Sequence, residues 1–273
     1  MSEKIADVIK ETENNKADRQ EQYFFRTDQL TVGYDGKPLI REINIQLKKG
    51  EILTLIGPNG AGKTTVFNML TGVYKPTAGT ILLDGENITG KPAIAINKAG
   101  IARTFQNIRL FKELSVLDNV KVAFNQGMSY SVLKSIFRTP SYWKEEAEID
   151  RKARELLAVF HMEDKADSLA QNLPYGQQRK LEIARALATN PKLLLLDEPA
   201  AGMNPTETAE LMDTISTIRK NFNISILLIE HDMSLVMSIC ERLIVIDYGQ
   251  IIAKGTPYEI ANNEKVIGAY LGA

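Results

Sequence analysis

Cysteine is almost absent from this sequence. Cys240 stands alone, which excludes an intramolecular disulfide and a cysteine-rich metal site and fits a reducing compartment. An excess of charge is missing too: 33 Lys and Arg face 34 Asp and Glu, for a net charge of −1. That balance argues against a protein built mainly to neutralise a nucleic-acid backbone, and no nucleic-acid partner is expected. Long apolar runs are also lacking. The longest aliphatic stretches, residues 193–196 and 224–229, fall far short of the ~20 residues that cross a bilayer. The opening MSEKIADVIKETENNKADRQEQ has no apolar core of signal-peptide length. The expectation is a protein soluble by itself, held at any membrane by another component. No internal repeat or low-complexity segment is present.

What is there is an ordinary globular composition, 44% hydrophobic and 25% charged over 273 residues, enough for one large domain or a domain plus a subdomain. Short β-rich runs, FFRTDQLTVGY, PLIREINIQLK and EILTLIG, follow a polar tail over residues 1–22. KTTVFNMLTGV reads as a helix, then GTILLDG and GIARTFQ as strands. Between residues 109 and 178 the period turns helical, with Ile149, Ala153, Leu156, Leu157 and Phe160 on one face. KLLLLD and ISILLIE are too apolar for half-exposed strands and suit a parallel sheet covered on both faces. LIVIDYGQIIAKG reads as a hairpin turning at Tyr248-Gly249-Gln250, before a last helix. The organisation expected is an α/β core over 23–108 and 179–273, a small antiparallel β subdomain near its start, and an inserted helical subdomain at 109–178.

GPNGAGKTT, from Gly57 through Pro58, Asn59, Gly60, Ala61 and Gly62 to Lys63, Thr64 and Thr65, matches G-x-x-x-x-G-K-[ST] between a strand and a helix. Glycines let the backbone turn successive N–H groups onto a phosphate, and the helix N-terminus adds partial positive charge. Lys63 is placed to reach the β- and γ-phosphates of a nucleoside triphosphate, and Thr64 to put its hydroxyl on Mg²⁺. Without nucleotide the loop is expected to be exposed and Lys63 to do no structural work. The second motif is LLLLDEP. It puts Asp197 and Glu198 at the carboxyl edge of a parallel sheet, where nucleotides bind. Asp197 suits a Mg²⁺ ligand acting through water, and Glu198 a base that polarises the attacking water. Alone, a strand ending in DEP is a turn; beside the glycine loop it becomes a site.

Three smaller features have bland alternatives. His231 follows an apolar strand, where a histidine is usually structural. Gln106 ends the strand before the helical insertion. Tyr34 suits stacking on an adenine ring or simple packing. The run LPYGQQRK opens a helix with backbone N–H groups suited to an anion, at Tyr175, Gly176 and Gln177. Pro174 there brings no hydroxyl but tolerates a helix start.

Taken in order, GPNGAGKTT, Gln106, LPYGQQRK, LLLLDEP and IEHD resemble the nucleotide-binding subunit of an ATP-binding cassette (ABC) transporter, over nearly everything from Tyr23 onward. The resemblance implies a P-loop NTPase core of ABC type and an ATPase of transport. It implies two ATP molecules sandwiched between two such subunits, identical or homologous, each touching the other subunit's Tyr175-Gly176-Gln177. It also implies that Gln106 couples the Mg²⁺ and water site to a membrane permease, that His231 senses the γ-phosphate, and that Tyr34 stacks on adenine. TFQNIRLF, the tyrosine of LPYGQQR, EPAAGMNP and the ending GTPYEIANNEKVIGAYLGA resemble the ATPases of branched-chain amino-acid importers. That likeness implies a peripheral place on the cytoplasmic face of the membrane and, indirectly, a solute-binding protein. A lipopolysaccharide-type exporter ATPase and a soluble, non-transport ABC ATPase are the alternatives. Pro174, Tyr175 and Asn204 depart from the commoner Ser, Gly and Asp of the family. Leu110 and Phe111 are expected to form an exposed apolar pair facing the permease. VLKSIFRTPSYWK, residues 132–144, is expected to pack within the helical subdomain.

Overall fold

The computed structural model describes residues 23–34, 37–124 and 140–271. The charged tail and residues 132–139 lie outside them.

Two sheets organise the chain. The first is antiparallel: β1 (Phe25–Tyr34) pairs with β2 (Lys37–Ile43), β3 (Gln46–Leu47) and β5 (Ala78–Leu83), and β5 also pairs with β6 (Glu86–Asn87). The second has the order β11-β10-β4-β9-β8-β7. Its strands β4 (Ile52–Ile56), β7 (Ile101–Arg103), β8 (Leu193–Asp197), β9 (Ser225–Ile229) and β10 (Arg242–Asp247) run parallel, and β11 (Gln250–Gly255) adds antiparallel at one edge.

The apolar runs explain the central position of this sheet. Every residue of β4, β8 and β9 is buried, and alternation divides them between two cores. Ile52, Ile56, Leu194, Leu196, Ile226 and Leu228 join the larger apolar cluster. Leu53, Leu55, Leu193, Leu195, Leu227 and Ile229 join the other. The larger cluster takes in α3 (Val116–Phe124), α4 (Pro140–Val159), α5 (Tyr175–Leu187), α6 (Pro205–Phe222) and α7 (Met233–Ile239), together with α8 (Pro257–Ala261) and α9 (Glu264–Leu271). The smaller takes in α1 (Lys63–Leu70), Ile96 of α2 (Ala93–Ala99) and the antiparallel sheet. Ile149, Ala153, Leu156, Leu157 and Phe160 are all buried, as their spacing predicts. No described helix is long and apolar enough to cross a membrane.

The local punctuation is also physical. Tyr248 and Gly249 form the two-residue hairpin turn, with φ of 42° and 74°, the two positive values of a type I′ turn; Gln250 already belongs to β11. A Cβ on Gly249 would lie 2.0 Å from the Leu39 carbonyl oxygen, so only glycine fits. Asn204 caps α6: its side chain accepts from the Glu207 N–H, and Glu207 accepts from the Asn204 N–H. Its departure from Asp is therefore a change between equivalent caps. Asn204→Asp should leave the melting temperature nearly unchanged, whereas Asn204→Ala should cost ~0.5–2 kcal/mol by denaturant unfolding.

Candidate functional site

The carboxyl ends of β4, β8 and β9 point to one edge of the central sheet; the glycine loop, Asp197 with Glu198, and His231 are placed by those strands or the turns that follow, and Gln106 by the loop after β7. β4 ends at Ile56 and passes into the glycine loop. Gly62, with φ of 104°, is the N-cap of α1 and supplies no side-chain cap, which leaves the first N–H groups of the helix for a ligand. Gly57 has its Cβ direction 2.0 Å from the Ile246 carbonyl oxygen, so the loop can pass the neighbouring strand only as glycine. Gly60 has φ of 82° and open space where a Cβ would stand.

The loop's tip at Asn59 and Gly60 is exposed, as expected, but Lys63 corrects the expectation of an idle lysine. It is only 7% exposed, and its Nζ donates to the carbonyls of Gly57 at 2.7 Å and Pro58 at 3.0 Å. Burial pulls the ammonium below the usual lysine range, while the charges of Glu198 and Asp197 act the other way. The lysine therefore bridges two carbonyls of the glycine loop. Thr64 is exposed at the helix start, and Thr65 is half-buried beside it.

β8 delivers Asp197, buried, and the turn after it delivers Glu198, which takes a left-handed conformation at φ of 46°. Such a conformation costs a non-glycine residue ~1–3 kcal/mol and persists at functional sites where the surroundings impose it. Here the Glu198 N–H donates to Ile229 of β9 at 3.0 Å. Gln106 Nε2 donates to Glu198 Oε2 at 3.1 Å, and His231 Nδ1 lies 3.9 Å from Glu198 Oε1. Glu198, Gln106 and His231 thus meet, and Lys63 is close enough to feel the carboxylate. Tyr34 ends β1; its side chain lies outside the described residues.

Tyr175, Gly176 and Gln177 begin α5, with Pro174 as N-cap at φ of −53° and no side-chain cap. The proline sits one position earlier than a first-turn proline and still interrupts no hydrogen bond. Gly176 is buried against Glu207: a Cβ would lie 3.0 Å from its carboxylate. Tyr175 is half-exposed, with its ring against Gly202. The loop after Glu198 and the opening of α5 are therefore packed together in one chain.

Sequence reading missed four charged residues. Arg103 Nη2 bonds Asp197 Oδ2 at 2.7 Å and Nη1 bonds Asn68 of α1 at 2.7 Å, tying β8 to the glycine-loop helix. Glu230 is buried and accepts from the N–H groups of Ala200 and His231 at 3.2 and 3.3 Å; burial pushes its carboxyl up. Arg179 and Glu182 form a buried ion pair at 2.7 Å. The only signal for Arg103, Glu182 and Glu230 was a charge beside apolar neighbours, and Arg179, between Gln178 and Lys180, had none. Phe111 is exposed under the Arg185 guanidinium, 5.4 Å from the ring centroid, whereas Leu110 is half-buried and packs on the larger cluster. The expected exposed pair is therefore Phe111 alone, since Leu110 is drawn into the core. A groove of about 240 Å³ beside it is lined by Arg103, Phe111, Val122, Glu182 and Arg185.

The site offers oxygen donors, and among the described residues no cluster of three or more His, Cys, Asp or Glu could hold a metal. The oxygens of Thr64, Gln106 and Asp197 are of the hard type that Mg²⁺ takes.

Comparison with known proteins agrees with this geometry. Residues 40–201 match the ABC transporter family model, and residues 250–273 match the model described as branched-chain amino acid ATP-binding cassette transporter. The chain is 47% identical over 243 residues to the high-affinity branched-chain amino acid transport ATP-binding protein LivG of Escherichia coli K12, covering 89% of this chain and 95% of that one. It is 37% identical over 243 residues, with the same coverage of each, to the lipopolysaccharide export system ATP-binding protein LptB of the same organism. A crystal structure of an ABC transporter's ATP-binding cassette in its ADP conformation superposes with a TM-score of 0.80 at 31% identity, covering 92% of this chain and 99% of that one. The chain belongs to the ABC transporter family, as one of its ATP-hydrolysing nucleotide-binding cassettes.

Proposed function

We propose that this chain energises an importer of branched-chain or other amino acids, hydrolysing ATP as one half of an ATP-sandwiched dimer on the cytoplasmic face of a membrane permease. A solute-binding protein delivers the solute to that permease, and the second ATPase subunit is an identical or homologous chain. The observation that carries the coupling is the Gln106–Glu198 hydrogen bond. It joins the loop leading to Phe111 to the carboxylate placed for water activation. The 47% identity to an import ATPase against 37% to an export ATPase favours import, as does the match over residues 250–273. In this reading 1–22 are a polar N-terminal tail, 23–108 and 179–273 form the nucleotide-binding core, and 109–178 form the helical subdomain.

In the proposed reaction the triphosphate enters the loop from Gly57 to Thr65, and Lys63 exchanges the carbonyls of Gly57 and Pro58 for phosphate oxygens. Tyr34 stacks on the adenine. Thr64, Gln106 and Asp197 provide the hard oxygen donors that suit Mg²⁺, which would supply charge neutralisation on the phosphates. Arg103 holds Asp197 Oδ2, and in this reading Oδ1 is the oxygen that serves the ion. Glu198 accepts the proton of the attacking water while Gln106 orients it, and His231 contacts the γ-phosphate. The partner subunit presents the α5 N-terminus at Tyr175-Gly176-Gln177, where backbone N–H groups and the helix dipole attract the same phosphate.

The partner surface tests this function. Phe111→Ser should keep basal hydrolysis within about twofold yet lose co-purification with the permease in detergent, because its ring is exposed and apolar at the groove. Intact assembly after that change would move the contact elsewhere. The opening of α5 gives a second expectation. Proline cannot donate a hydroxyl proton to phosphate, a bond to a charged group worth ~1.5–3 kcal/mol. Pro174→Ser, in a Glu198→Gln background, should tighten ATP-driven dimerisation by up to about tenfold in light scattering. An unchanged dimer constant would make Pro174 helix punctuation only. Gly176→Asp is a poor control there, since the new carboxylate would face Glu207.

A further inference from the structure

We infer that Arg179 and Glu182 are positioning residues for hydrolysis: together they fasten the Gln106 loop to the helix that carries Tyr175-Gly176-Gln177, so that the two move as one body. The inference rests on the ATP-sandwich reading above. Arg179 is fully buried; its two terminal nitrogens each donate to a backbone carbonyl, and its Nε has no partner among the described residues. Nη1 donates to the Phe105 carbonyl at 2.6 Å and Nη2 to the Gln106 carbonyl at 2.8 Å. Nη1 also pairs with Glu182 Oε2 at 2.7 Å. From the same pair, Glu182 Oε1 accepts from the N–H groups of Phe105 at 3.4 Å and Arg109 at 3.3 Å. Two side chains one helical turn apart thus bracket Gln106 on both sides, through contacts that do not depend on which side chains the loop carries.

Stability does not explain the pair. Burying two charges costs more than their attraction alone returns, and well-packed apolar residues serve a helix face at least as well. What the pair supplies is geometry. A guanidinium fork presents several donors in one rigid plane, so it fixes the angle of the loop as well as its distance from α5. The consequences reach the site at both ends. Gln106 bonds Glu198, and the Tyr175 hydroxyl lies 3.4 Å from Arg179 Nη2. Beyond Arg109, whose guanidinium stands 4.2 Å over the Phe105 ring, the chain continues to the exposed Phe111. A displacement of the groove side of this loop therefore carries both the group beside Glu198 and the helix end that meets the opposing ATP.

The test uses the full chain carrying Arg179→Met with Glu182→Met, which removes both charges at once and leaves neither buried alone, and separately Arg179→Lys, which keeps the charge but cannot span two carbonyls. Hydrogen exchange is first followed without nucleotide. The Phe105 and Arg109 amides should exchange at least about tenfold faster in the double variant, while those within α5 stay protected. Melting temperature and fluorescent-ATP affinity should stay close to wild type, because Arg179 does not touch the glycine loop. Hydrolysis should fall ~10–100-fold in kcat with KM changed less than about threefold, the scale on which small misplacements act. Arg179→Lys should fall in the same direction by less. A double variant that folds and exchanges rapidly at Phe105 and Arg109, yet keeps wild-type kcat, would overturn the inference. So would wild-type kcat in Arg179→Lys alongside a double variant that fails to fold, since the pair would then be a brace for the fold alone. If the chain carrying Glu198→Gln gave no ATP-driven dimer, the sandwich reading would fall while the exchange result still stood.

Discussion

Glu198→Gln should lose ATP hydrolysis by ~10²–10⁴-fold, about 3–5 kcal/mol of barrier, while binding ATP as well as wild type. The size follows from removing a general base and nothing else. Glutamine keeps the shape and the left-handed backbone at φ of 46°, which is imposed by the surrounding turn rather than by the carboxylate. It can also still accept from Gln106 Nε2, which lies 3.1 Å from Glu198 Oε2, so the loop stays in place. With hydrolysis blocked and binding intact, the variant should accumulate as an ATP-bound dimer in light scattering. A rate near wild type, in protein cleared of contaminating ATPase, would assign the base elsewhere; His231 stands nearest, 3.9 Å from the carboxylate.

Lys63→Ala should act twice. Losing a charged donor from the phosphates should lower hydrolysis by ~10²–10³-fold, the scale seen when one preorganised electrostatic group is removed. Nucleotide affinity should fall as well, because the interaction exists before the transition state. The second effect comes from the nucleotide-free state. Lys63 donates to two loop carbonyls, and charge-assisted bonds are worth ~1.5–3 kcal/mol each when a partner is lost in burial. The loop can rehydrate, so a drop of ~1–2 kcal/mol is expected, or a few degrees in melting. Retained affinity with unchanged hydrolysis would remove Lys63 from the site. A loss of melting of the size of a core deletion would make it a fold residue.

Local patterns were legible because they report local physics. Short, mostly apolar runs announced strands buried on both faces, and the split of Leu193 from Leu194 into opposite cores follows from the two-residue period. The glycine loop was readable because steric limits at Gly57 and Gly62 leave one residue type. Asn204 was readable in principle, since Asn-Pro-Thr-Glu spells a capping box, yet it stood out first as a departure from aspartate. Contacts between distant segments were not legible. Arg103 meets Asp197 across 94 positions and Arg179 meets Phe105 across 74; periodicity within either segment gives no hint of them. The left-handed Glu198 was hidden for the same reason, because Ile229, on another strand, holds its N–H.

The most direct measurement is uptake. The chain, its permease and the second ATPase subunit are reconstituted in proteoliposomes with Mg-ATP on the nucleotide-binding side and a solute-binding protein loaded with radiolabelled leucine on the other. The account predicts leucine accumulation that requires ATP, stops with Glu198→Gln, and rises together with ATP hydrolysis when the loaded binding protein is added. Hydrolysis that proceeds at the same rate with or without that protein, and moves no leucine, would contradict it.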